Sequence, residues 1–247
     1  MTIPSDMVEA IRDARHLCVL TGAGISAESG VPTFRDAHTG LWSQYRPEEL
    51  ATADAFLRDP ELVWRWYHWR RDLIVKTEPN PAHLALAQLE ALVTRLTLIT
   101  QNVDGLHQRA GSTAVTEFHG NIFVNRCFIE GIEIDCDADT AMPTCPACGG
   151  HARPGVVWFG ETIPEVALDT ALTAAKDCDF FLSVGTSSLV YPAAGLADLA
   201  RETGAVVAEI NSQTTDLARG YNFAIQAQAG VALPALVNSL VDHRPML

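Results

Sequence analysis

HLCVLTGAGISAES, residues 16–29, sets a short apolar run directly against a glycine-rich turn. Gly22, Gly24 and Ala27 have the G-x-G-x-x-G/A spacing of a dinucleotide-binding turn. The first glycine permits a tight turn, the second lets a phosphate approach the backbone, and the third small residue lets the helix pack closely. A pyrophosphate is therefore expected on exposed backbone N–H groups at the start of a helix. A glycine-rich strand-to-helix turn can also be only a turn, and a hydride-transferring dehydrogenase uses the same one, so the turn does not name a reaction.

Outward from this turn, three more apolar runs read as buried parallel strands, at 96–100, 179–184 and 205–210. Helical stretches at 4–15, 81–92 and 164–176 alternate with them, and Asn80 stands where an N-cap is needed. The alternation predicts an α/β fold with a Rossmann-like, doubly wound parallel sheet. Two stretches break the rhythm: 41–78, which is helical and tryptophan-rich, and 121–151, which holds four cysteines. They are expected to form a smaller inserted domain, helical and zinc-ribbon-like, beside a large domain of 1–40, 79–120 and 152–247. The cleft between the two is the natural ligand site.

The ends of the strands carry the polar chemistry. TQNVDGLH follows the second strand and brings Gln101, Asn102 and Asp104 to the edge where sheet ligands bind. FHG presents His119, GTSS at 185–188 supplies small donors, and Asn211 ends AVVAEIN where it can reach a ribose. A lone histidine is often a satisfied structural residue, but polar neighbours at adjacent strand ends favour catalysis.

Composition bounds the partners. The chain of 247 residues is 48% hydrophobic and 19% charged, with 17 basic against 30 acidic side chains and a net charge of −13. That charge has the wrong sign for unspecific attraction to nucleic acid and suits a cationic partner such as a lysine-bearing protein segment. The apolar runs are short and the first residues lack the order of a secretory signal, so neither a membrane partner nor export is expected and the cytoplasm is the expected location. Cys18 and Cys178 sit in apolar runs as small buried thiols, while Cys127, Cys136, Cys145 and Cys148 cluster in a way that suggests metal before disulfide.

Six motifs occur in a fixed order: GAGISAESGVPTFR (22–35), TQNVD (100–104), FHG (118–120), VVWFGE (156–161), GTSS (185–188) and IN (210–211). Over nearly the whole chain this ordered set resembles the sirtuin family of NAD-dependent protein-lysine deacylases. The resemblance implies a small domain with a zinc module and a reaction that consumes NAD, giving nicotinamide, O-acyl-ADP-ribose and free lysine. Nicotinamide leaves, and the acyl oxygen attacks the anomeric carbon to give an alkylimidate. His119 is then the general base on the ribose hydroxyls, a role suited to an ordinary imidazole pKa of about 6.5. Asn102 orients ribose or water, and Asp104 with the Ile25 region holds the nicotinamide carboxamide. Phe34 and Arg35 lie in a loop closing over NAD. The remaining NAD contacts fall on Gly22, Ala23, Gly24, Ala27, Gln101, Gly185, Thr186, Ser187, Asn211, Ser212, Gln213 and Ala229. Val156, Val157, Trp158, Phe159 and Gly160 resemble the segment that pairs edge-to-edge with the substrate peptide, although the run also reads as a buried strand.

Tyr67 and Arg70 are three positions apart, on one helical face, and offer a hydroxyl and a guanidinium to a carboxylate. They resemble the Y-x-x-R pair of sirtuins that accept succinyl- or malonyl-lysine; the alternative is a surface stack of Arg70 on Trp66. The family's zinc module uses two close cysteine pairs, and only Cys145 and Cys148 have that spacing here. Cys127 opens the other pair, with Glu130 at its partner position and Cys136 further on. Four thiolates close a tetrahedral structural zinc site if the loop folds back, Glu130 or His151 can substitute, or the site is empty. Rival functions are mono-ADP-ribosyl transfer on the same scaffold, a Rossmann dehydrogenase with a zinc insert, and a nucleic-acid-binding module, which the acidic charge disfavours.

Overall fold

In this computed structural model, which describes residues 1–32, 46–137, 140–213 and 215–242, the first half of the chain runs through α1 (Ser5–Asp13), β1 (Leu17–Thr21), α2 (Ala23–Ala27), α3 (Pro47–Leu50), α4 (Ala53–Arg58), α5 (Pro60–Val75), α6 (Pro81–Leu92) and β2 (Leu96–Thr100). Next come α7 (Leu106–Arg109), β3 (Val115–Glu117), β4 (Gly120–Cys127), β5 (Glu133–Ile134) and β6 (Ala152–Val156). The last part is α8 (Glu165–Asp177), β7 (Phe180–Val184), α9 (Leu196–Glu202), β8 (Val206–Asn211), β9 (Phe223–Gln226) and α10 (Ala229–Asp242).

Strand β1 is buried along its whole length because it is paired on both edges and covered on both faces. It lies in a six-stranded sheet of order β3-β2-β1-β7-β8-β9, parallel throughout. Side chains alternate across it. Leu17 and Val19 of β1, with Phe180 and Leu182 of β7, face a core shared with α1, α6 and α10. Cys18, Leu20 and Phe181 face the opposite core, built with α8 and α9. The order reverses between β1 and β7, so the carboxyl ends of those two strands flank the crevice where such sheets bind ligands.

The remaining elements make a second sheet of order β5-β4-β6, antiparallel, backed by α4 and α5. Its core gathers Phe56, Trp64, Trp66, Tyr67 and Trp158, all buried. Asp59 starts α5 by accepting the Leu62 N–H (2.9 Å), with Pro60 in the first turn where its missing N–H is harmless. From that helix the Arg71 guanidinium donates to the Ile122 carbonyl (2.7 Å) and to Asn125 Oδ1 (2.9 Å), holding the irregular stretch of β4 between Asn121 and Asn125.

The strand expectations agree within one residue at each end. Helix α1 is shorter than 4–15: Pro4 precedes it, and the backbone N–H groups of Arg15 and His16 go to the Asp179 carboxylate (2.9 and 3.0 Å) instead of continuing the helix. Helix α6 spans 81–92, and Asn80 caps it in a reciprocal box with His83. The small sheet runs beyond residue 151, because β6 pairs with β4 as far as Val156 opposite Gly120.

Candidate active site

At the crevice the turns after β1 and β7 meet backbone to backbone. The Gly24 N–H donates to the Gly185 carbonyl (2.8 Å) and the Ile25 N–H to that of Gly22 (3.1 Å). These two N–H groups therefore close the turn rather than stand open to a phosphate, a narrower cradle than the spacing alone suggests. A Cβ at Gly24 would lie 2.7 Å from Gly185 O, and Gly185 has φ +60. Side chains are excluded here by contact, so backbone packs directly on backbone across the crevice.

Behind the turn a buried polar network holds the strand-end residues. Asn102 Nδ2 donates to Ser26 Oγ (2.9 Å) and to the Gly22 carbonyl (3.1 Å), and Ser26 Oγ donates to Asp104 (2.7 Å). His83 accepts the Asn80 N–H at Nδ1, so its proton sits on Nε2, which faces Ser26 Oγ at 3.4 Å. Thr21 Oγ1 bonds His107 Nε2 and donates to Thr100 Oγ1 (both 2.9 Å), which in turn accepts the Asn102 N–H (3.1 Å). Asn102 is thus fixed at main chain and side chain together. Asp104 is buried, which pushes its carboxyl up, against the opposing pull of the Leu106 N–H, Ser26 and the Arg70 charge.

Burial pushes His83 down to about 4 and His107 to about 3, with the neighbouring His83 adding to the second. Unfolded, both titrate near about 6.5, so as the pH falls the unfolded chain takes up protons first. Their contribution to stability is complete above about pH 6.5 and is lost as the pH drops through that value towards 4 and 3. The melting temperature is expected to fall across this window, and His107→Gln to flatten part of the fall. Asp104 acts in the opposite sense, so the His107 variant isolates the histidine share. An unchanged slope in His107→Gln would contradict the assignment.

His119 stands half-buried at the mouth. Its Nδ1 meets the Gln101 carbonyl (3.0 Å), which requires an Nδ1–H and leaves the lone pair on Nε2. Burial lowers its pKa, and the Gln101 hydrogen bond opposes this. Gln101 Nε2 donates to Thr186 Oγ1 (2.9 Å) and Asn211 Nδ2 to the Thr186 carbonyl (2.8 Å), which ties the ends of β2, β7 and β8 together. Ile25 is buried beside this network, Ala229 is buried at the start of α10, and Ser212 and Gln213 are exposed after β8. Ala23 and Ser187 are half-buried, and Ala27 is exposed. Phe34 and Arg35 lie outside the described residues.

On α5 Tyr67 is fully buried and its hydroxyl accepts the Trp158 indole N–H (2.8 Å). The Arg70 guanidinium lies 4.9 Å from the Trp66 ring and 5.8 Å from that of Tyr67, so the stack with Trp66 exists. It is not a surface stack: Nη1 is buried, and burial lowers the Arg70 pKa while Tyr67 and Asp104 oppose this. Of the 156–160 run, Val156 and Trp158 belong to the core and Val157 is half-buried, while Phe159 and Gly160 are exposed. The Val157 N–H goes to the His119 carbonyl and that of Phe159 to Ala51 (both 2.9 Å), which couples this strip to the backbone of His119.

Ligand atoms of Cys127, Glu130, Cys145 and Cys148 all lie within 4.8 Å of one another, a group able to hold a metal ion. Three soft sulfurs and one carboxylate suit zinc. Cys136 is not in the group; it packs against the core of the small sheet, and His151 sits edge-on to Phe56. The residues that reasoning from sequence missed are Ser26, His83 and His107. Ser26 and His107 lie within the GAGIS and TQNVDGLH stretches, but the partners that show their roles are distant along the chain, and His83 stands at the third position of a capped helix.

A model of the Sir2 family matches residues 22–192. The NAD-dependent protein deacylase of Ralstonia nicotianae is 53% identical over 92% of this chain and 93% of its own length. Among solved structures, a Sir2 homolog–NAD complex superposes with a TM-score of 0.92 at 42% identity, over 97% of this chain and 94% of that one. A Sir2 protein bound to acetylated peptide has a TM-score of 0.84 at 28% identity, over 94% and 96% of the two chains.

Proposed function

The chain belongs to the Sir2 family, the sirtuins, and is an NAD-dependent protein deacylase; from that premise we propose that it removes acetyl, succinyl and malonyl groups from protein lysines, giving nicotinamide, O-acyl-ADP-ribose and free lysine. The observation that carries the chemistry is His119, held by the Gln101 carbonyl at Nδ1 so that the lone pair is left on Nε2. Its lowered pKa keeps the imidazole neutral at working pH. In that state it takes a proton from a ribose hydroxyl, and the hydroxyl oxygen attacks the acyl carbon. NAD supplies the electrophilic ribose carbon once nicotinamide leaves. Asn102, locked at both ends, orients the ribose or a water, and Asp104 with Ile25 holds the carboxamide. The glycine turn, Gln101, the 185–187 turn, Asn211 to Gln213 and Ala229 take the rest of the dinucleotide.

In this proposal residues 1–40, 79–120 and 152–247 form the NAD domain, and 41–78 with 121–151 the small domain; two separate sheets and cores support a division in two, with β6 (Ala152–Val156) paired into the small sheet. The substrate peptide lies along Val157, Phe159 and Gly160, a placement supported by the hydrogen bond from this strip to His119 and by the peptide complex of the relative. Among the described residues no helix is long and apolar enough to cross a membrane. A cytoplasmic location is supported by the metal-type cysteine grouping.

Acyl choice rests on Tyr67 and Arg70. The Trp158 indole occupies an acceptor site of the Tyr67 hydroxyl, so the O–H itself is available to donate to a carboxylate. Arg70, 4.9 Å from the Trp66 ring, supplies the charge. The test is mass spectrometry of products from NAD with acetyl- and succinyl-lysine peptides. Acyl-ADP-ribose is expected from both, and ADP-ribosylated peptide would favour transferase chemistry instead. Arg70→Met and Tyr67→Phe are expected to lower desuccinylation about tenfold or more while sparing deacetylation. Equal loss on both peptides would remove the selectivity role.

A further inference from the structure

The two turns that present the metal ligands share one backbone design. In the first, the Cys127 N–H donates to the Ile132 carbonyl (2.9 Å) and the Gly131 N–H to that of Cys127 (2.9 Å). In the second, the Cys145 N–H donates to the Gly150 carbonyl (2.7 Å) and the Gly149 N–H to that of Cys145 (2.9 Å). Gly131 and Gly149 have left-handed φ values of 68 and 71, so each turn bends at the same place. Each also aims the N–H of its fourth residue at the sulfur of its first: Glu130 N–H at Cys127 Sγ (3.4 Å), and Cys148 N–H at Cys145. Superposing the pattern sets Cys127 on Cys145 and Glu130 on Cys148.

We infer that this chain holds its zinc with three thiolates and one carboxylate, Glu130 filling in the first turn the place that Cys148 fills in the second. Cys127 Sγ and Cys148 Sγ are 3.5 Å apart. Zinc–sulfur bonds of about 2.3 Å at tetrahedral angles place two sulfurs about 3.8 Å apart, so the turns already meet at nearly the spacing a shared ion needs. All four ligand atoms lie within 4.8 Å of one another. Cys136 follows β5 and packs with the tryptophan-rich core, so it is a packing residue and not the fourth ligand. A carboxylate oxygen is a harder donor than a thiolate and binds zinc less tightly, so the substitution makes the metal more exchangeable than in an all-thiolate site. The inference rests on the cluster being the zinc site, which Cys145→Ser tests by itself.

The experiment uses the full chain, with zinc measured by elemental analysis and chelator competition, and with Co2+ exchanged in for its sulfur-to-metal absorption. Wild type and Cys136→Ser are expected to keep zinc with the same affinity and the same Co2+ spectrum. Glu130→Ala is expected to weaken retention by about tenfold or more. Glu130→Cys, which restores a second cysteine pair, is expected to intensify the sulfur-to-cobalt band and tighten binding, so the assignment stays testable if the alanine variant folds poorly. Loss of zinc and of absorption intensity in Cys136→Ser, with Glu130→Ala unchanged, would make Cys136 the fourth ligand and overturn the inference. Zinc retained in Cys145→Ser would instead remove the site on which it rests.

Discussion

His119→Ala is expected to lower acyl-ADP-ribose formation by about 10²–10⁴-fold, the range of a lost general base, with the affinity for NAD near that of the wild type. The expectation follows from how the imidazole is held. Its Nδ1–H is tied to the Gln101 carbonyl, and Gln101 is tied to Thr186, so Nε2 is aimed by main chain on one side and by the neighbouring strand end on the other. His119 meets Gln101 through the main-chain carbonyl, so the alanine variant leaves the Gln101 side chain on Thr186 as it is. Burial lowers the His119 pKa, so the acidic limb of the pH–rate profile should have its midpoint below the ordinary imidazole value of about 6.5. As the pH falls through that limb the base is protonated and the rate drops, and above it the rate is flat with respect to this group. The measurement is kcat and kcat/KM against pH for the wild type, with nicotinamide and acyl-ADP-ribose quantified for the alanine variant. Retention of more than about a tenth of product formation, or a limb displaced upward, would remove His119 from the role of base.

Gly24→Ala carries the second large effect. The added Cβ would sit 2.7 Å from Gly185 O and 2.8 Å from Gly185 Cα, both backbone atoms that no rotamer change can move. The turns after β1 and β7 would have to part, breaking the Gly24 N–H bond to Gly185 and shifting the floor of the proposed dinucleotide site. Overpacking of this kind costs about 1–3 kcal/mol in stability, and a displacement approaching 1 Å at the site costs about hundredfold in kcat/KM for NAD. The control is Gly220→Ala, where a Cβ meets nothing within 4 Å and φ is not left-handed. Activity of Gly24→Ala equal to that of Gly220→Ala, with equal melting temperatures, would show that the close approach is not needed.

The neutral histidines behind the turn explain why Ser26 could not be read as more than the last letter of a motif. Its hydroxyl accepts hydrogen bonds from Asn102 and His83 and donates one to Asp104, partners that lie 57 to 78 positions away in sequence. No periodicity encodes such a meeting. The same holds for Trp158, which sits in a segment expected along the peptide but whose ring is in the core and whose N–H is bonded to Tyr67. Alternation accounts for this: Val156 and Trp158 point inward while Phe159 is left at the surface.

What the amino-acid order determined by itself was whatever depends on neighbours along the chain. The glycine turn after an apolar strand, the Asn80 cap before α6 and the alternation of strands with helices are set by local backbone preference and burial period, and they stand where they were expected. The ordered motifs likewise named the family to which the chain belongs. Tertiary structure decided what depends on distance in space. It turned two N–H groups of the glycine turn inward to close it against Gly185, set Arg70 half-buried on Trp66 in place of a surface stack, and brought Glu130 to the three cysteines while Cys136 went to the core. Spacing in the sequence limits which atoms can meet; only the packed chain sets which of them do, because each meeting depends on partners contributed by other elements.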